Sequence, residues 1–227
     1  MKNKIRIFIF IIAAFSFHFL CAQEKDMQTW ITLEIKAPVM SKFEFSLENE
    51  LRFVNNTSLF GRNQTELELF YNQNSNLSFG LGYRLAFDYP FSDYSEHSHR
   101  WLADILWKTR IQRLRINTRF RLQNDQEFFQ NEGSGNLIHR EKIRLAYKIR
   151  NTPFLIYTGV ETYFRISNTP FELRKVRLSA GTRMDISDNS QISVDLIRDR
   201  EYNRTNPLTA FILQLGYSFE FGKPQED

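Results

Sequence analysis

The sequence predicts an all-β fold, namely an antiparallel up-and-down transmembrane β-barrel of 10–12 strands. First, apolar and polar residues alternate in segments from Trp30 to Phe221, and period two is that of a β-strand. Second, most of these segments reach 10–14 residues. Globular strands average about 5–6 residues, whereas a tilted membrane crossing needs about 9–11. Third, short turns alternate with longer polar loops, as in outer-membrane barrels.

Eleven segments alternate in this way, and none is a convincing amphipathic helix. The clearest sets Leu114, Ile116 and Phe120 on one face against arginines on the other. The eleven segments are 29–37, 42–53, 64–72, 76–89, 100–110, 113–123, 140–150, 154–166, 174–186, 191–199 and 208–221.

The connections fall into two classes. Short turns are predicted near 37–40, 72–75, 111–112, 151–153 and 187–190. Longer polar loops are predicted near 54–63, 88–99, 124–139, 167–173 and 200–207. We expect the short turns at the periplasmic end and the loops outside the cell.

The strand count is odd, although bacterial single-chain barrels have even counts. Segments 42–53 and 208–221 would run in opposite directions, so ten strands could close by antiparallel pairing alone. Segment 29–37 would then be either an added strand with an unrecognised partner or a segment lying against the inner wall.

The two faces of the strands indicate which side meets lipid. Four arginines on one face of 113–121 are hard to bury in a soluble core but are hydrated in a wet lumen. The 22 Phe, 9 Tyr and 3 Trp suit aromatic girdles at the membrane interfaces. An exported β-sandwich or a lipocalin-like barrel is the alternative.

If the chain is a transmembrane barrel, Leu81 faces lipid. Arg at Leu81 should then cost more stability than Ser at the neighbouring Gly80 or Gly82.

The N-terminus has the form of an export signal. Basic residues precede the apolar run 7–20, whose 14 residues are short of the roughly 20 that span a bilayer. Cleavage between Ala22 and Gln23 would remove residues 1–22 and leave one barrel domain, 23–227. The alternatives are a membrane anchor helix and a lipoprotein modified at Cys21.

Export changes the composition. The chain has 30 Lys and Arg against 26 Asp and Glu, and three of the basic residues lie in the signal, which leaves a net charge of about +1. The basic balance therefore does not argue for nucleic-acid binding. The only cysteine also leaves with the signal, which excludes disulfides and a cysteine nucleophile. We recognise no metal-ligand spacing or cofactor fingerprint, and we expect neither group.

Several segments together resemble a known family. They are TWITLEI at 29–35, SLENELRF at 46–53, GLGYRLAF at 80–87, RLRINTRFRLQ at 113–123 and LQLGYSFEFG at 213–222. The chain is similar through nearly its whole mature length to the domain of unknown function family 2490. The resemblance implies an outer-membrane β-barrel of a Gram-negative bacterium and implies no activity.

Two sets of charged residues are expected to line the lumen. The basic wall comprises Arg110, Arg113, Arg115, Arg119, Arg121, Arg140, Lys142, Arg144 and Lys148. The acidic wall comprises Glu44, Glu48, Glu50, Glu66 and Glu68. We expect the walls to neutralise each other across a narrow barrel, which would make the charges structural. The alternative is an anion-attracting conduit, because clustered arginines focus positive potential.

These features predict a non-enzymatic outer-membrane barrel with a structural, adhesive or small-solute transport role. The alternative is a lipid or peptide hydrolase that uses His97 and His99. They are expected in an external loop with Asp93, Ser95, Glu96 and Ser98. The expected partners are outer-membrane lipid and the barrel-assembly machinery, which would recognise the aromatic C-terminal strand. A monomer is favoured.

Overall fold

The computed structural model describes residues 25–89, 96–127, 136–166 and 171–222, and they form one closed barrel of eleven strands. The strands are β1 Lys25–Met40, β2 Phe43–Val54, β3 Leu59–Asn72, β4 Leu77–Asp88, β5 Glu96–Ile111, β6 Leu114–Glu127, β7 Asn136–Lys148, β8 Phe154–Ile166, β9 Glu172–Asp185, β10 Ser190–Glu201 and β11 Thr209–Glu220. The prediction of an all-β barrel with 10–12 strands is confirmed. Within the described ranges, no helix is long and apolar enough to cross a membrane.

The first strand closes the barrel. β1 pairs antiparallel with β2 and parallel with β11, so that Ile31 lies between Leu51 and Leu215. The first proposal for segment 29–37 is confirmed, since it is an added wall strand whose unrecognised partner is the last strand. The second proposal, a segment lying against the inner wall, is wrong. The ten later strands therefore do not close on each other. A ring of purely antiparallel pairs needs an even number of strands, and one parallel pair makes eleven possible.

The alternation underestimates five strands by three or more residues, mainly at the loop end: β1, β3, β5, β6 and β10. β7 also extends further at its loop end but ends earlier at its short-turn end. The loop expected at 54–63 is only a four-residue turn, 55–58, in which Asn55, Asn56 and Thr57 all have positive φ. Connections contain 2–5 residues at one end of the barrel and 4–8 at the other. The shorter and the longer set of connections therefore lie at opposite ends of the barrel, as predicted. We expect the shorter connections at the periplasmic end.

The barrel is apolar outside and polar inside. Leu81 is 70% exposed and Trp101 is 61% exposed, whereas Arg121 and Glu161 are 1% and 2% exposed. Soluble barrels and sandwiches bury their apolar face instead, so the soluble alternatives are wrong. An apolar outer belt around a charged interior is the arrangement of a transmembrane barrel.

The glycines of β4 have a packing role that the sequence did not suggest. A Cβ atom at Gly80 would lie 2.6 Å from Cε1 of Phe70. A Cβ atom at Gly82 would lie 2.8 Å from Cγ of Glu68 and 2.9 Å from the backbone oxygen of Leu67. Ser at either position must therefore displace its neighbours, which raises its expected cost in stability. That Ser here costs less than Arg at Leu81 stays a prediction.

Candidate functional site: the charged lumen

One cavity of about 1420 Å³ lies inside the barrel. Its lining begins at Ser75 and Asn76 in a short turn and reaches Arg174 and Arg204 at the opposite end. At about 30 Å³ per water, it holds on the order of 50 water molecules. The inner side chains therefore leave a hydrated space rather than filling the barrel.

The predicted wall residues lie along this cavity, with one exception. All five glutamates of the acidic wall and eight of the nine basic residues line it. Arg113 is not among the lining residues and lies exposed in the β5–β6 turn, next to Gln112 with φ 55°. The alternation of inward and outward side chains stops at this turn. The pattern of β6 therefore does not predict the side on which Arg113 lies.

Arg121 links the two predicted walls. Its guanidinium group donates to Asp104 of β5 at 2.6 and 2.7 Å and to Glu66 of β3 at 2.7 Å. It also donates to Glu68, while Glu66 accepts from Arg84 of β4. These bonds connect β3 to β6, and the charges are almost fully buried. A buried guanidinium group needs several acceptors, and the carboxylates of Asp104, Glu66 and Glu68 supply them to Arg121.

Glu161 of β8 is the acceptor of a second network. It receives bonds from Arg140 at 2.7 Å, from Arg119 at 3.0 Å and from the hydroxyl of Tyr163 at 3.2 Å. Arg140 and Arg119 share Oε1, whereas Arg177 lies 3.8 Å from Oε2, the oxygen that accepts from Tyr163. Three guanidinium groups from β6, β7 and β9 thus converge on one carboxylate.

A third contact joins β9 to β1. Arg177 donates to Asp199 at 2.7 Å, and its guanidinium carbon lies 5.0 Å from the ring centroid of Trp30. The guanidinium of Arg52 lies 3.9 Å from the same ring. Such cation–π pairs are each worth about 0.5–2 kcal/mol. We refer to the residues of these three networks as the transverse layer: Trp30, Arg52, Glu66, Glu68, Arg84, Asp104, Arg119, Arg121, Arg140, Glu161, Tyr163, Arg177 and Asp199.

The charges of the short-turn half are less evenly matched. Arg144 and Arg183 form no ion pair with a carboxylate in the described part of the chain, and the Nε atom of each is buried without a hydrogen-bond partner. On the early strands, Glu34 and Glu48 are in register with one another, and Glu34 pairs with Lys36 at 2.9 Å.

The cavity as a whole is positive. Its lining contains 20 Lys and Arg residues and 11 Asp and Glu residues among those described, a formal excess of nine. Four further carboxylates of the described residues pair with lining arginines or lysines and reduce the formal excess among the described residues to five: Asp88, Asp104, Glu172 and Asp199.

The histidines of the hydrolase alternative lie elsewhere than predicted. His97 and His99 are in strand β5, not in an external loop. They share the outward parity of Trp101, and their rings lie 4.9 Å from Phe87 and 6.0 Å from Tyr83. This places them in the aromatic band near the loop end. Asp93 and Ser95 lie outside the described residues.

Several members of the transverse layer were missed by the sequence analysis, among them Trp30, Asp104, Glu161, Arg177 and Asp199. Each lies on the inward parity of its strand, so the alternation was a usable signal for its face. Their pairing was not predictable, because Arg177 and Trp30 belong to strands separated by β10 and β11 in the wall. No group of three or more described His, Cys, Asp or Glu residues could hold a metal ion.

The closed barrel, its apolar outer belt and its charged lumen define an integral β-barrel of the outer-membrane class. Residues 27–209 match the family described as "Protein of unknown function (DUF2490)", and the chain belongs to this family. The resemblance inferred from the strand patterns is thereby confirmed.

Solved structures with a similar barrel include two autotransporter domains. The translocator domain of NalP from Neisseria meningitidis is 8% identical, with a TM-score of 0.40, over 75% of this chain and 71% of that chain. The beta domain of the Bordetella autotransporter Brka is 10% identical, with a TM-score of 0.46, over 80% of this chain and 85% of that chain. No curated protein sequence matches the chain.

Proposed function

We propose that the protein is a narrow diffusion pore for small anionic solutes. One observation carries the proposal: a hydrated cavity, lined from one end of the barrel to the other, has an excess of basic over acidic residues among those described. Fixed charge within low-dielectric walls concentrates counter-ions, so anions are favoured over cations along this path.

The transverse layer would limit the size of the solute. Long side chains from β1, β2, β6, β8 and β9 project inward at the same level and contact one another. A solute must pass through the space that these side chains leave open, because separating the buried ion pairs would cost too much free energy. The aperture therefore suits ions and small metabolites rather than peptides or oligosaccharides.

The same layer favours a second candidate, a purely structural barrel. Arg121 and Glu161 are almost fully buried and compensated, as in a plugged barrel whose charges hold the strands in register. On this account the cavity holds water but transmits no ions.

Planar-bilayer recording separates the two candidates. The pore predicts anion-selective conductance that falls in the Arg115→Ala/Arg119→Ala double mutant. Because Arg119 is paired with Glu161, Arg144→Gln provides a cleaner variant that breaks no ion pair with a described carboxylate. Arg198→Gln is the matched control, since Arg198 is exposed on the outward parity of β10. A silent wild-type barrel, destabilised by the double mutation, would instead establish the structural role.

We further propose that residues 1–22 are removed on export. This segment lies outside the described residues, and the proposal rests on its basic start and apolar run. Mass spectrometry of the membrane-extracted protein should give Gln23 as the first residue. A lipid-modified Cys21 would contradict it.

The C-terminal strand is proposed as the signal read by the assembly machinery. Leu215 and Tyr217 face outward on β11, with Gly216 on the lumen side between them. Replacing Tyr217 and Phe219 by Ser should reduce the amount of protein inserted in the membrane. The same replacement at Tyr147, which is also outward-facing, provides the control.

A further inference from the structure

An apolar groove lies on the outer belt of the barrel. Its volume is about 490 Å³, and ligand sites commonly have volumes of about 300–1,000 Å³. The groove follows two neighbouring rows of outward side chains that the strand register aligns. One row contains Leu81, Ala103 and Leu122, and the other contains Tyr83, Trp101 and Asn124. We refer to the depression between these rows as the belt groove.

Ala103 gives the belt groove its depth. Its in-register neighbours are Leu81 and Leu122, which are both exposed on the outer belt. The rings of Tyr83 and Trp101 form one wall, with their centroids 4.8 Å apart. A single methyl group between these larger side chains leaves a depression in which a hydrocarbon chain gains dispersion contacts on several sides.

The belt groove is inclined through the membrane. Asn124 at one end lies three residues from the loop end of β6, whereas Phe45 at the other lies two residues from the short-turn end of β2. The steps between neighbouring strands from β2 to β7 span roughly 24 Å at about 4.8 Å each. Because the strands tilt by about 35–45°, a row across them covers a depth of about 15 Å. That is half of a hydrocarbon core of about 30 Å, and therefore the depth of one lipid leaflet.

The loop-side end of the groove has a polar atom without a partner. Oδ1 of Asn124 is buried and forms no hydrogen bond within the described part of the chain. Water is scarce at this depth in a membrane, so an acceptor without a donor is costly here. Rotation about χ2, which is a soft torsion in asparagine, can turn this oxygen towards the groove. The groove therefore suits a hydrocarbon chain with a hydrogen-bond donor at its polar end.

We propose that the belt groove retains one acyl chain of lipopolysaccharide, the lipid of the outer leaflet. The chain lies along the groove with its polar end at Asn124 and its methyl end towards Phe45. The acyl chains of lipopolysaccharide have amide linkages and hydroxyl groups, which donate hydrogen bonds. Glycerophospholipid chains have ester linkages, which only accept, so they leave this oxygen without a donor. The loop side of the barrel, which is expected outside the cell, is the side on which lipopolysaccharide lies. The site does not depend on whether the lumen conducts ions.

Native mass spectrometry of the detergent-solubilised barrel with added lipid A, the acylated part of lipopolysaccharide, tests the groove. We expect the wild type to retain one lipid A molecule, and Ala103→Phe, whose ring fills the groove, to retain about tenfold less. Ala180→Phe is the matched control, because Ala180 is exposed on the outward parity of β9, in register with Thr158 and Leu196, and does not line the groove. Heat-modifiable gel mobility checks that each variant is folded, and Ala103→Leu replaces Ala103→Phe if that variant does not fold.

A second lipid and a second variant test the polar end of the groove. The wild type should retain phosphatidylglycerol, which is also anionic, about tenfold less than lipid A, and Asn124→Leu should abolish this preference. Equal retention of the two lipids by the wild type, or an unchanged preference in Asn124→Leu, would overturn the assignment to a donor-bearing chain. No retained lipid A, or equal retention by the wild type and Ala103→Phe, would overturn the site. A wild-type dimer that Ala103→Phe converts to a monomer would show instead that a second copy of the chain occupies the groove.

Discussion

Arg177 of β9 contacts the face of Trp30 of β1 although two strands, β10 and β11, separate them in the barrel wall. The guanidinium carbon lies 5.0 Å from the ring centroid, and the same arginine donates to Asp199 at 2.7 Å. Arg52 approaches the ring as well, at 3.9 Å. This indole is therefore held inside the lumen by two cations, and it lines the cavity.

Removing the indole should open the lumen and weaken the barrel. Trp30→Ala deletes a buried side chain and both cation–π contacts, so we expect a loss of about 3–5 kcal/mol in unfolding free energy together with a larger single-channel conductance. Urea unfolding in detergent and planar-bilayer recording measure the two effects. Trp101→Ala provides the control, because Trp101 faces lipid. Unchanged conductance in Trp30→Ala would show that this ring does not limit passage.

Neutralising Glu161 should be among the most costly single changes. Glu161→Gln removes the charge that compensates Arg140 and Arg119, and breaking a buried pair costs about 3–5 kcal/mol. Glu141→Gln makes the same chemical change on an exposed carboxylate and should cost less than about 1 kcal/mol. The midpoints of urea unfolding compare the two. Equal midpoints would mean that the Glu161 network does not stabilise the barrel.

The lipid-facing and lumen-facing positions of β4 should both be sensitive, for different reasons. Leu81→Arg places a charge on the outer belt and should cost about 2–4 kcal/mol. Gly82→Ala should also destabilise, because its Cβ atom would lie 2.9 Å from the oxygen of Leu67. Leu81→Val, with little change in polarity, is the control for both. Wild-type stability in Gly82→Ala would show that the strands can separate slightly at no cost.

Parallel closure predicts the sides of the two chain ends. β1 and β11 both run from the loop end to the short-turn end, so Lys25 and Gly222 lie at opposite ends of the barrel. An epitope inserted just before Lys25 should bind antibody on intact cells, whereas one after Gly222 should bind only after permeabilisation. An epitope in the 202–208 connection gives the positive control. Both ends accessible on the same side would contradict the parallel pair.

The alternation of side chains determined the strands and their faces from the sequence alone. Because successive side chains point to opposite sides of a strand, the polar parity of segment 113–123 was enough to place Arg115, Arg119 and Arg121 in the lumen. The alternation did not predict positions where the local geometry changes, as at Arg113 in its turn. It also missed the start of β5, which includes His97 and His99. Strand ends are weakly encoded, since polar residues also occupy the interfacial parts of long strands.

Which charges meet was decided only by the tertiary structure. The sequence predicted two opposed walls, yet Arg119 pairs with Glu161 of β8, whereas Arg121 reaches the early glutamates Glu66 and Glu68. Such pairings depend on strand order, register and closure, and these bring together residues as far apart as Trp30 and Arg177. The same holds for the parallel pairing of β1 with β11, because a strand's alternation is identical for either direction of its neighbour. The faces are a property of each strand, whereas the contacts across the lumen belong to the closed barrel.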